Sequence, residues 1–397
     1  MKNKTFGKIC SAIIASLMLL PLSGCGDNGN IESGEAQNGG NGQGQSSSSV
    51  AVSAVNDEIR DIPSTELVKE IKIGWNLGNT LDSTGESGVE SETSWGNVVT
   101  TKEMITTVKD AGFNIVRIPT TWGIHMDENN VVDEAWMNRV QEVVDYAYSQ
   151  DMFVILNIHH EEWHDPYYDN ADAAEEKLKA LWSQIGTHFA GYSERLIFEG
   201  MNEPRKRNTA FEWNGGDDEG REVVNRLNAA FVETIRGLGG NNAKRHLMIP
   251  GYAASSSDSA LRAIKVPEGD DKIIISVHAY TPYAFALSDD FAARNFSPDD
   301  SSANDIVYLM DTLKTNFIDK GTPVIIGEFG ARAKANEDIR GEWATFYVSK
   351  AKEIGVPCVW WDNGAFSGNG ENFGILNRSS CTWEYPVIVE GLMKGLE

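Results

Sequence analysis

Two glutamates in this chain of 397 residues each follow a run of apolar residues, the pattern of a carboxyl group at the end of a buried strand. Glu203 comes after Leu196–Met201 and Asn202, and Glu328 comes after Val324–Gly327. A buried carboxylate is costly unless it is paired or takes part in chemistry. Two carboxyls whose surroundings split their pKa values can act as acid and nucleophile on a glycosidic bond. An ion pair is the structural alternative for each of them.

The other apolar runs also end in residues that could contact a substrate. These are Asn76, Arg117, His159, His160, Asn202, His278, Tyr280 and Trp361. Turn-forming residues are usual after a strand, so this set predicts a substrate-binding site at one edge of a sheet. Asn202 can hydrogen-bond the 2-OH of a sugar, and Trp361 offers a flat apolar surface for a sugar ring.

Eight short apolar runs recur along the chain and predict eight strands: Ile71–Leu77, Phe113–Pro119, Phe153–His159, Leu196–Met201, His246–Pro250, Ile273–His278, Pro323–Phe329 and Val356–Trp361. Helical segments are predicted between them at Lys102–Ala111, Glu134–Ser149, Ala173–Phe189, Glu222–Leu238, Ala303–Ile318 and Asp338–Ile354, with a short helix within Ser257–Ile264. Apolar strands that alternate with helices indicate a parallel sheet covered by helices. Eight such units predict an α/β (β/α)8 barrel, a TIM barrel. A doubly wound open sheet is the alternative, but no Gly-rich phosphate loop follows the first strand.

In such a barrel the working residues lie at the carboxyl ends of the strands. Arg117 is the nearest plausible cation for Glu328, which we expect to be ionised beside it. Burial and the charge of Glu328 should raise the pKa of Glu203 and keep it protonated at rest. Tyr280 and His278 are two residues apart, so they share a strand face and can orient Glu328.

Strand alternation raises a difficulty for two adjacent pairs of these residues. Asn202 and Glu203 should point to opposite faces of a strand, as should His159 and His160. Both members of each pair can reach one site only if the strand ends twist or bulge. Glu199 shares a face with Glu203 but lies deeper, and we interpret it as a structural carboxylate paired with a basic group.

The segment His160–His164 matches the H-E-x-x-H zinc pattern. That pattern binds zinc only on a helix, where residues i and i+4 share a face. Here it directly follows the predicted strand ending at His159 and precedes Asp165-Pro166, so a loop is favoured and no metal or other cofactor is predicted. A zinc hydrolase and a glucan-binding protein without catalysis are the alternatives from other classes.

Four loops should shape the binding cleft: Asp82–Asn97, Trp163–Asp172, Asn208–Gly220 and Ala284–Ser302. Their tryptophans Trp95, Trp163 and Trp213 could line outer sugar sites or simply pack within the loops. The sequence leaves these two interpretations open.

The amino terminus resembles an export signal. Lys2, Lys4 and Lys8 precede an apolar stretch of 14 residues from Ile9 to Leu22, which is too short to span a bilayer. Leu22–Cys25 resembles the lipobox of bacterial lipoproteins, which predicts lipidation at Cys25. We therefore predict a lipoprotein-type signal at 1–25, a flexible Gly/Ser/Asn-rich linker at 26–55 and one catalytic domain at 56–397. Cleavage near Ser23 and Gly24 with full secretion is the alternative.

Two cysteines, Cys358 and Cys381, lie in the predicted catalytic domain. They could pair in an oxidising compartment. Because Cys358 lies in an apolar run typical of a buried strand, two free thiols are favoured.

The chain is acidic, with a formal net charge of −24. This charge repels nucleic acid and anionic membranes, so a neutral substrate is favoured. We expect no nucleic-acid partner, a membrane association only through the lipid, an extracellular position on the surface of a bacterial cell and a monomeric enzyme.

Three motifs resemble glycoside hydrolase family 5, in particular its subfamily 4, and the resemblance spans most of residues 65–395. They are Gly74–Thr80, Asn202-Glu203-Pro204 and Gly327–Gly330. The resemblance implies a (β/α)8 barrel and a retaining double displacement on internal β-1,4 bonds of cellulose, mixed-linkage β-glucan or xyloglucan. It implies Glu203 as acid/base and Glu328 as nucleophile, with the other residues at the strand ends around the sugar. Xyloglucanase, xylanase or mannanase activity within the same family stays open.

Overall fold

The computed structural model describes residues 55–368 and 370–397. Eight parallel strands close into a barrel in chain order, and the last strand pairs with the first. They are β1 (Ile73–Leu77), β2 (Ile115–Ile118), β3 (Phe153–Asn157), β4 (Leu196–Glu199), β5 (Leu247–Ser255), β6 (Ile273–His278), β7 (Val324–Phe329) and β8 (Cys358–Asp362). The predicted (β/α)8 barrel is confirmed.

The helices of the described residues are α1 (Ser64–Leu67), α2 (Lys102–Asp110), α3 (Glu134–Tyr148), α4 (Tyr168–His188), α5 (Asp218–Gly237), α6 (Asp258–Ala263), α7 (Tyr283–Ala286), α8 (Ala303–Asn316), α9 (Glu337–Glu353) and α10 (Pro386–Lys394). A two-stranded antiparallel sheet, β9 (Leu376–Asn377) and β10 (Thr382–Trp383), follows the barrel. All the predicted helices are present. Helix α5 begins four residues before the predicted start because the Asp217 side chain accepts a hydrogen bond from Gly220 N at 2.9 Å and caps it.

Alternate strand residues fill the inside of the barrel. Each strand from β2 to β8 contributes at least one apolar side chain to this inner cluster, among them Ile115, Ile155, Ile197, Met248, Ile274, Ile325 and Val359. At the matching position of β1 stands Gly74, where a Cβ atom would lie only 2.6 Å from Ile115 Cγ2 and 2.8 Å from Val359 Cγ1. A glycine is therefore required for the barrel to close around this layer. The larger apolar cluster packs between the barrel and its helices.

Strands β3 and β4 end two residues earlier than predicted, at Asn157 and Glu199. His159, His160, Asn202 and Glu203 consequently lie beyond the ends of the strands, where strict alternation of faces no longer applies. This removes the difficulty that strand alternation raised for the two adjacent pairs. The strand ends, rather than a bulge within either strand, allow both members of each pair to face the barrel mouth.

No helix in the described ranges is long and apolar enough to cross a membrane. The predicted signal at 1–25 lies outside the described residues, as does almost all of the linker predicted at 26–55. Cys358 is buried in β8 and Cys381 is half-buried, and both are free thiols, as predicted.

Candidate active site

The carboxyl ends of the strands bring the candidate residues together at one mouth of the barrel. Its centre is Arg117 of β2, whose side chain is fully buried. Arg117 Nη1 donates to Glu328 Oε1 at 2.8 Å and to Asn76 Oδ1 at 2.9 Å, and Nη2 donates to Asn202 Oδ1 at 2.7 Å. One guanidinium therefore fixes side chains from three other parts of the barrel. Charge-assisted hydrogen bonds of this length are among the strongest in proteins.

Glu199 binds the same guanidinium from below. Arg117 Nε donates to Glu199 Oε2 at 2.7 Å, and the Ser276 hydroxyl donates to Glu199 Oε1. The prediction that Glu199 is paired with a basic group is confirmed. A buried cation between two buried carboxylates satisfies the requirement that charges removed from water be paired.

Glu203 and Glu328 face each other across the barrel mouth, as predicted. His278 lies between them, with its Nδ1 atom 2.7 Å from Glu203 Oε1 and 3.6 Å from Glu328 Oε2. One oxygen of each carboxyl and this nitrogen all lie within 4.8 Å of one another. Retaining glycosidases have carboxyls about 5–5.5 Å apart, whereas inverting enzymes need about 6.5–9.5 Å. The pair is therefore close enough for direct attack by one carboxylate.

Glu328 is held by a second donor. The Tyr280 hydroxyl donates to Glu328 Oε2 at 2.9 Å, as the expectation that Tyr280 orients Glu328 required. Burial and the charge of Glu328 raise the pKa of Tyr280 well above its ordinary value, so the hydroxyl keeps its proton. His278 instead makes its shorter contact with Glu203, at 2.7 Å against 3.6 Å to Glu328.

The two carboxyls differ in pKa, but in the reverse of the expected order. Burial raises the pKa of Glu203, but the hydrogen bond and charge of His278 outweigh it and leave this pKa below the ordinary value. At Glu328 burial prevails over the charges of His278 and Arg117, and the pKa is raised. The pKa of His278 is raised by both carboxylates despite burial. The expectation of a raised pKa at Glu203 is wrong because the contact between Glu203 and His278 could not be inferred from residues 75 positions apart.

An open cleft of about 500 Å³ adjoins this centre. Its lining includes Asn79, Trp95, His160, Trp361, Asn363 and Glu371. The Trp361 ring lies parallel to the His159 ring, with an interplanar angle of 0° and centroids 5.8 Å apart. His160 Nε2 lies 3.8 Å from Asp82 Oδ2. His160 and Trp361 line the cleft, and His159 is buried beside them.

The three loop tryptophans have different environments. Trp95 borders the cleft and is 40% exposed. Trp213 is 57% exposed and stacks on Arg205, whose guanidinium carbon lies 4.3 Å from the centroid of the indole ring. Trp163 donates its indole N–H to Glu161 Oε2 at 2.6 Å, so it packs within its loop.

Sequence reasoning missed Arg205 and Asp82. Arg205 Nη1 lies 3.5 Å from Glu203 Oε2, and its position two residues after the acid was the available signal. Asp82 is buried, and burial raises its pKa to about 6 although the backbone N–H groups of Thr80 and Asn79 oppose this. No periodicity in the sequence marks Asp82 as a neighbour of His160.

The H-E-x-x-H segment lies in a loop between β3 and α4, as predicted. His164 is buried, and neither of its ring nitrogens has a hydrogen-bond partner in the described part of the chain. Glu161 accepts from the backbone N–H of Trp122 at 2.6 Å and of Gly123 at 2.9 Å. The helical condition that places two imidazoles on one metal is therefore not met.

Comparison with known proteins agrees with this geometry. A family model described as cellulase (glycosyl hydrolase family 5) matches residues 81–367. Endoglucanase B of Neocallimastix patriciarum is 51% identical over 347 residues, which are 85% of this chain and 73% of that protein. The chain belongs to glycosyl hydrolase family 5.

Two solved structures are similar to the barrel described above. One is a GH5-4 broad specificity endoglucanase from Ruminococcus champanellensis with bound cellotriose, at 45% identity and a TM-score of 0.82, covering 85% of this chain and all of that one. The other is a GH5 family lichenase from Caldicellulosiruptor sp. F32, at 42% identity and a TM-score of 0.81, covering 87% of this chain and 98% of that one. These relatives identify the chain as a glycoside hydrolase of the endo-β-1,4-glucanase type.

Proposed function

We propose that this enzyme cleaves β-1,4-glucosidic bonds with retention of configuration, with Glu328 as nucleophile and Glu203 as acid/base. The observation that carries this proposal is the separation of the two carboxyls, whose facing oxygens lie within 4.8 Å of each other. This spacing favours the short carboxyl separation of retaining enzymes over the longer one that admits a water in inverting enzymes.

In the first step Glu328 forms a bond to the anomeric carbon while the bond to the leaving oxygen breaks. Arg117 and Tyr280 each donate to one oxygen of Glu328, which fixes the carboxylate for attack. The leaving oxygen takes a proton from Glu203. Because His278 Nδ1 lies 2.7 Å from Glu203 Oε1, the two groups hold this proton jointly and titrate as a coupled pair.

In the second step water attacks the same carbon, Glu203 accepts a proton from that water, and Glu328 leaves. Asn202 assists both steps. Its Oδ1 atom accepts from Arg117, so its amide nitrogen is left to donate to the sugar 2-OH, a contact that strengthens in the transition state.

The anomer of the first product tests this proposal. Proton NMR of the wild-type enzyme acting on a cello-oligosaccharide should show the β-anomer before mutarotation. If the α-anomer appears first, the retaining mechanism and the two roles are refuted.

We propose cellulose, mixed-linkage β-glucan or xyloglucan as substrate. An open cleft bordered by Trp95 and Trp361 suits a long neutral chain, and one similar structure holds cellotriose. A reducing-sugar assay across carboxymethylcellulose, barley glucan, xyloglucan, xylan and mannan tests the choice. Highest activity on xylan or mannan would overturn it.

We further propose that the enzyme acts as a monomer outside a bacterial cell, held at the surface by lipid on Cys25. The support is the apolar stretch Ile9–Leu22 followed by Leu22–Cys25. The acidic net charge of −24 disfavours direct binding to an anionic membrane, so the lipid supplies the attachment.

A further inference from the structure

A buried amide, Asn157 at the end of β3, lies beneath the candidate active site and contacts three groups. Its Oδ1 atom accepts from the backbone N–H of Thr120 at 3.0 Å. Its Nδ2 atom lies 3.0 Å from Glu199 Oε2 and 3.1 Å from His159 Nδ1. Asn157 is not one of the candidate catalytic or substrate-binding residues.

The orientation of the Asn157 amide is fixed by its partners. A backbone N–H can only donate, so the amide oxygen must face Thr120. The Glu199 carboxylate, ion-paired with Arg117, can only accept, so the amide nitrogen must face Glu199. A flipped amide would lose both hydrogen bonds and place two oxygens together.

This orientation determines which ring nitrogen of His159 carries the proton. The amide nitrogen of Asn157 donates, so His159 Nδ1 must accept and has no hydrogen. Burial, with the charges of His160 and Arg117, lowers the pKa of His159 well below its ordinary value, so the ring is neutral. A neutral imidazole has one N–H, which is then at Nε2.

A second observation agrees with this tautomer. His159 Nε2 lies 4.0 Å from Asp82 Oδ2. The two oxygens of Asp82 accept hydrogen bonds from the backbone N–H groups of Thr80 and Asn79. An N–H at Nε2 is favoured next to such an acceptor, whereas a lone pair there would be repelled.

We propose that Asn157 is a positioning residue that holds His159 as the Nε2–H tautomer, so that His159 donates a hydrogen bond to the sugar at the cleavage point. The Trp361 ring lies parallel to the imidazole, with the two centroids 5.8 Å apart. The effect on turnover rests on the proposed function, but the tautomer does not.

The tautomer also bears on metal binding. One ligand-type atom from each of Asp82, His159 and His160 lies within 4.8 Å of the others, a grouping that could otherwise hold a cation. A nitrogen that carries a proton has no lone pair for a metal, so His159 is not available as a ligand while Asn157 holds it.

The tautomer can be measured directly by long-range ¹H–¹⁵N NMR on the full chain labelled at histidine. The protein has seven histidines, and the signal of His159 is the one that disappears in His159→Gln. We expect a protonated Nε2 and an unprotonated Nδ1 at neutral pH. A protonated Nδ1, or a mixture of the two tautomers, would overturn the proposal, whether or not the enzyme releases reducing ends.

Asn157→Asp provides the perturbation. One carboxylate oxygen replaces the amide oxygen at Thr120, and the other lies near both Glu199 Oε2 and His159 Nδ1. The repulsion between the two carboxylates then favours a proton on His159 Nδ1, which donates to the new oxygen. We expect the NMR signal to change to the Nδ1–H form and kcat/KM to fall roughly ten- to a hundredfold, the range for a buried group left without its partner. A folded Asp variant with an unchanged tautomer would overturn the proposal.

Asn242→Asp is a matched control. Asn242 is also buried, its Oδ1 accepts from Arg245 Nε at 2.9 Å and its Nδ2 donates to Gly186 O at 2.8 Å, but it lies between α5 and β5, away from the cleft. We expect it to lose stability and leave the His159 signal unchanged. If Asn157→Asp does not fold, the wild-type spectrum still decides the tautomer.

Discussion

Arg117 is the most consequential cation in the described structure, and Arg117→Met is the sharpest test of how the site is held together. The substitution removes the charge that pairs with Glu199 at 2.7 Å and Glu328 at 2.8 Å, all three side chains being at most 7% exposed. Removing one partner of a buried ion pair costs about 3–5 kcal/mol, because the remaining charge is buried without compensation. Domains of this kind have about 5–15 kcal/mol of total stability, so the variant should fold but be strongly destabilised.

The measurement is urea unfolding followed by tryptophan fluorescence and by circular dichroism, whose coincident transitions justify a single free energy of unfolding. Adding Glu199→Gln to Arg117→Met should recover part of the loss, since one of the two uncompensated carboxylates is then gone. The difference gives a coupling energy of about 0.5–3 kcal/mol. Arg262→Met, which breaks an exposed pair with Asp258 at 2.8 Å, should change stability little.

The pH dependence has a definite sign. Without Arg117 the pKa of Glu328, which burial already raises, rises further in the folded state. The folded state then binds a proton more readily than the unfolded chain, so stability falls as pH rises. The loss of stability caused by Arg117→Met should be largest at neutral pH. It should become smaller as the pH falls toward the ordinary glutamate pKa of about 4.3. A loss below about 1 kcal/mol, or a deficit that grows in acid, would refute this reasoning.

Three further predictions follow from the proposed function. Glu328→Ala should lose activity by several orders of magnitude and form a glycosyl azide only with inverted configuration. Azide should instead rescue Glu203→Ala on substrates with good leaving groups, and the product should have retained configuration. The same anomer from both variants would contradict the roles. Cys25→Ala should release the protein into the medium or block its processing, and a normally processed, membrane-associated variant would contradict the lipid anchor. Dialysis against chelator should leave activity intact because His160–His164 lie in a loop, and a loss that zinc restores would return the metal hypothesis.

The barrel and the two glutamates were predictable from the sequence because they depend on local pattern. A run such as Ile273–His278 is mostly apolar because a barrel strand is buried on both faces. The predicted and observed bounds of this strand coincide. Glu203 and Glu328 were found by the same pattern, since a carboxyl group directly after an apolar run of the sequence contradicts it. Such an exception is where function is expected.

Tertiary structure alone decided the contacts within the site. His278 Nδ1 lies 2.7 Å from Glu203 Oε1, and this contact reverses the expected order of the two pKa values. In the sequence, nothing distinguishes Asn157 from the other residues of β3. In the structure, its amide nitrogen lies 3.1 Å from His159 Nδ1 and determines which ring nitrogen carries the proton. Periodicity reports which face a residue occupies and how deeply it is buried. It does not report distances between residues 75 positions apart, such as Glu203 and His278, and these distances determine the charge and proton position of each group.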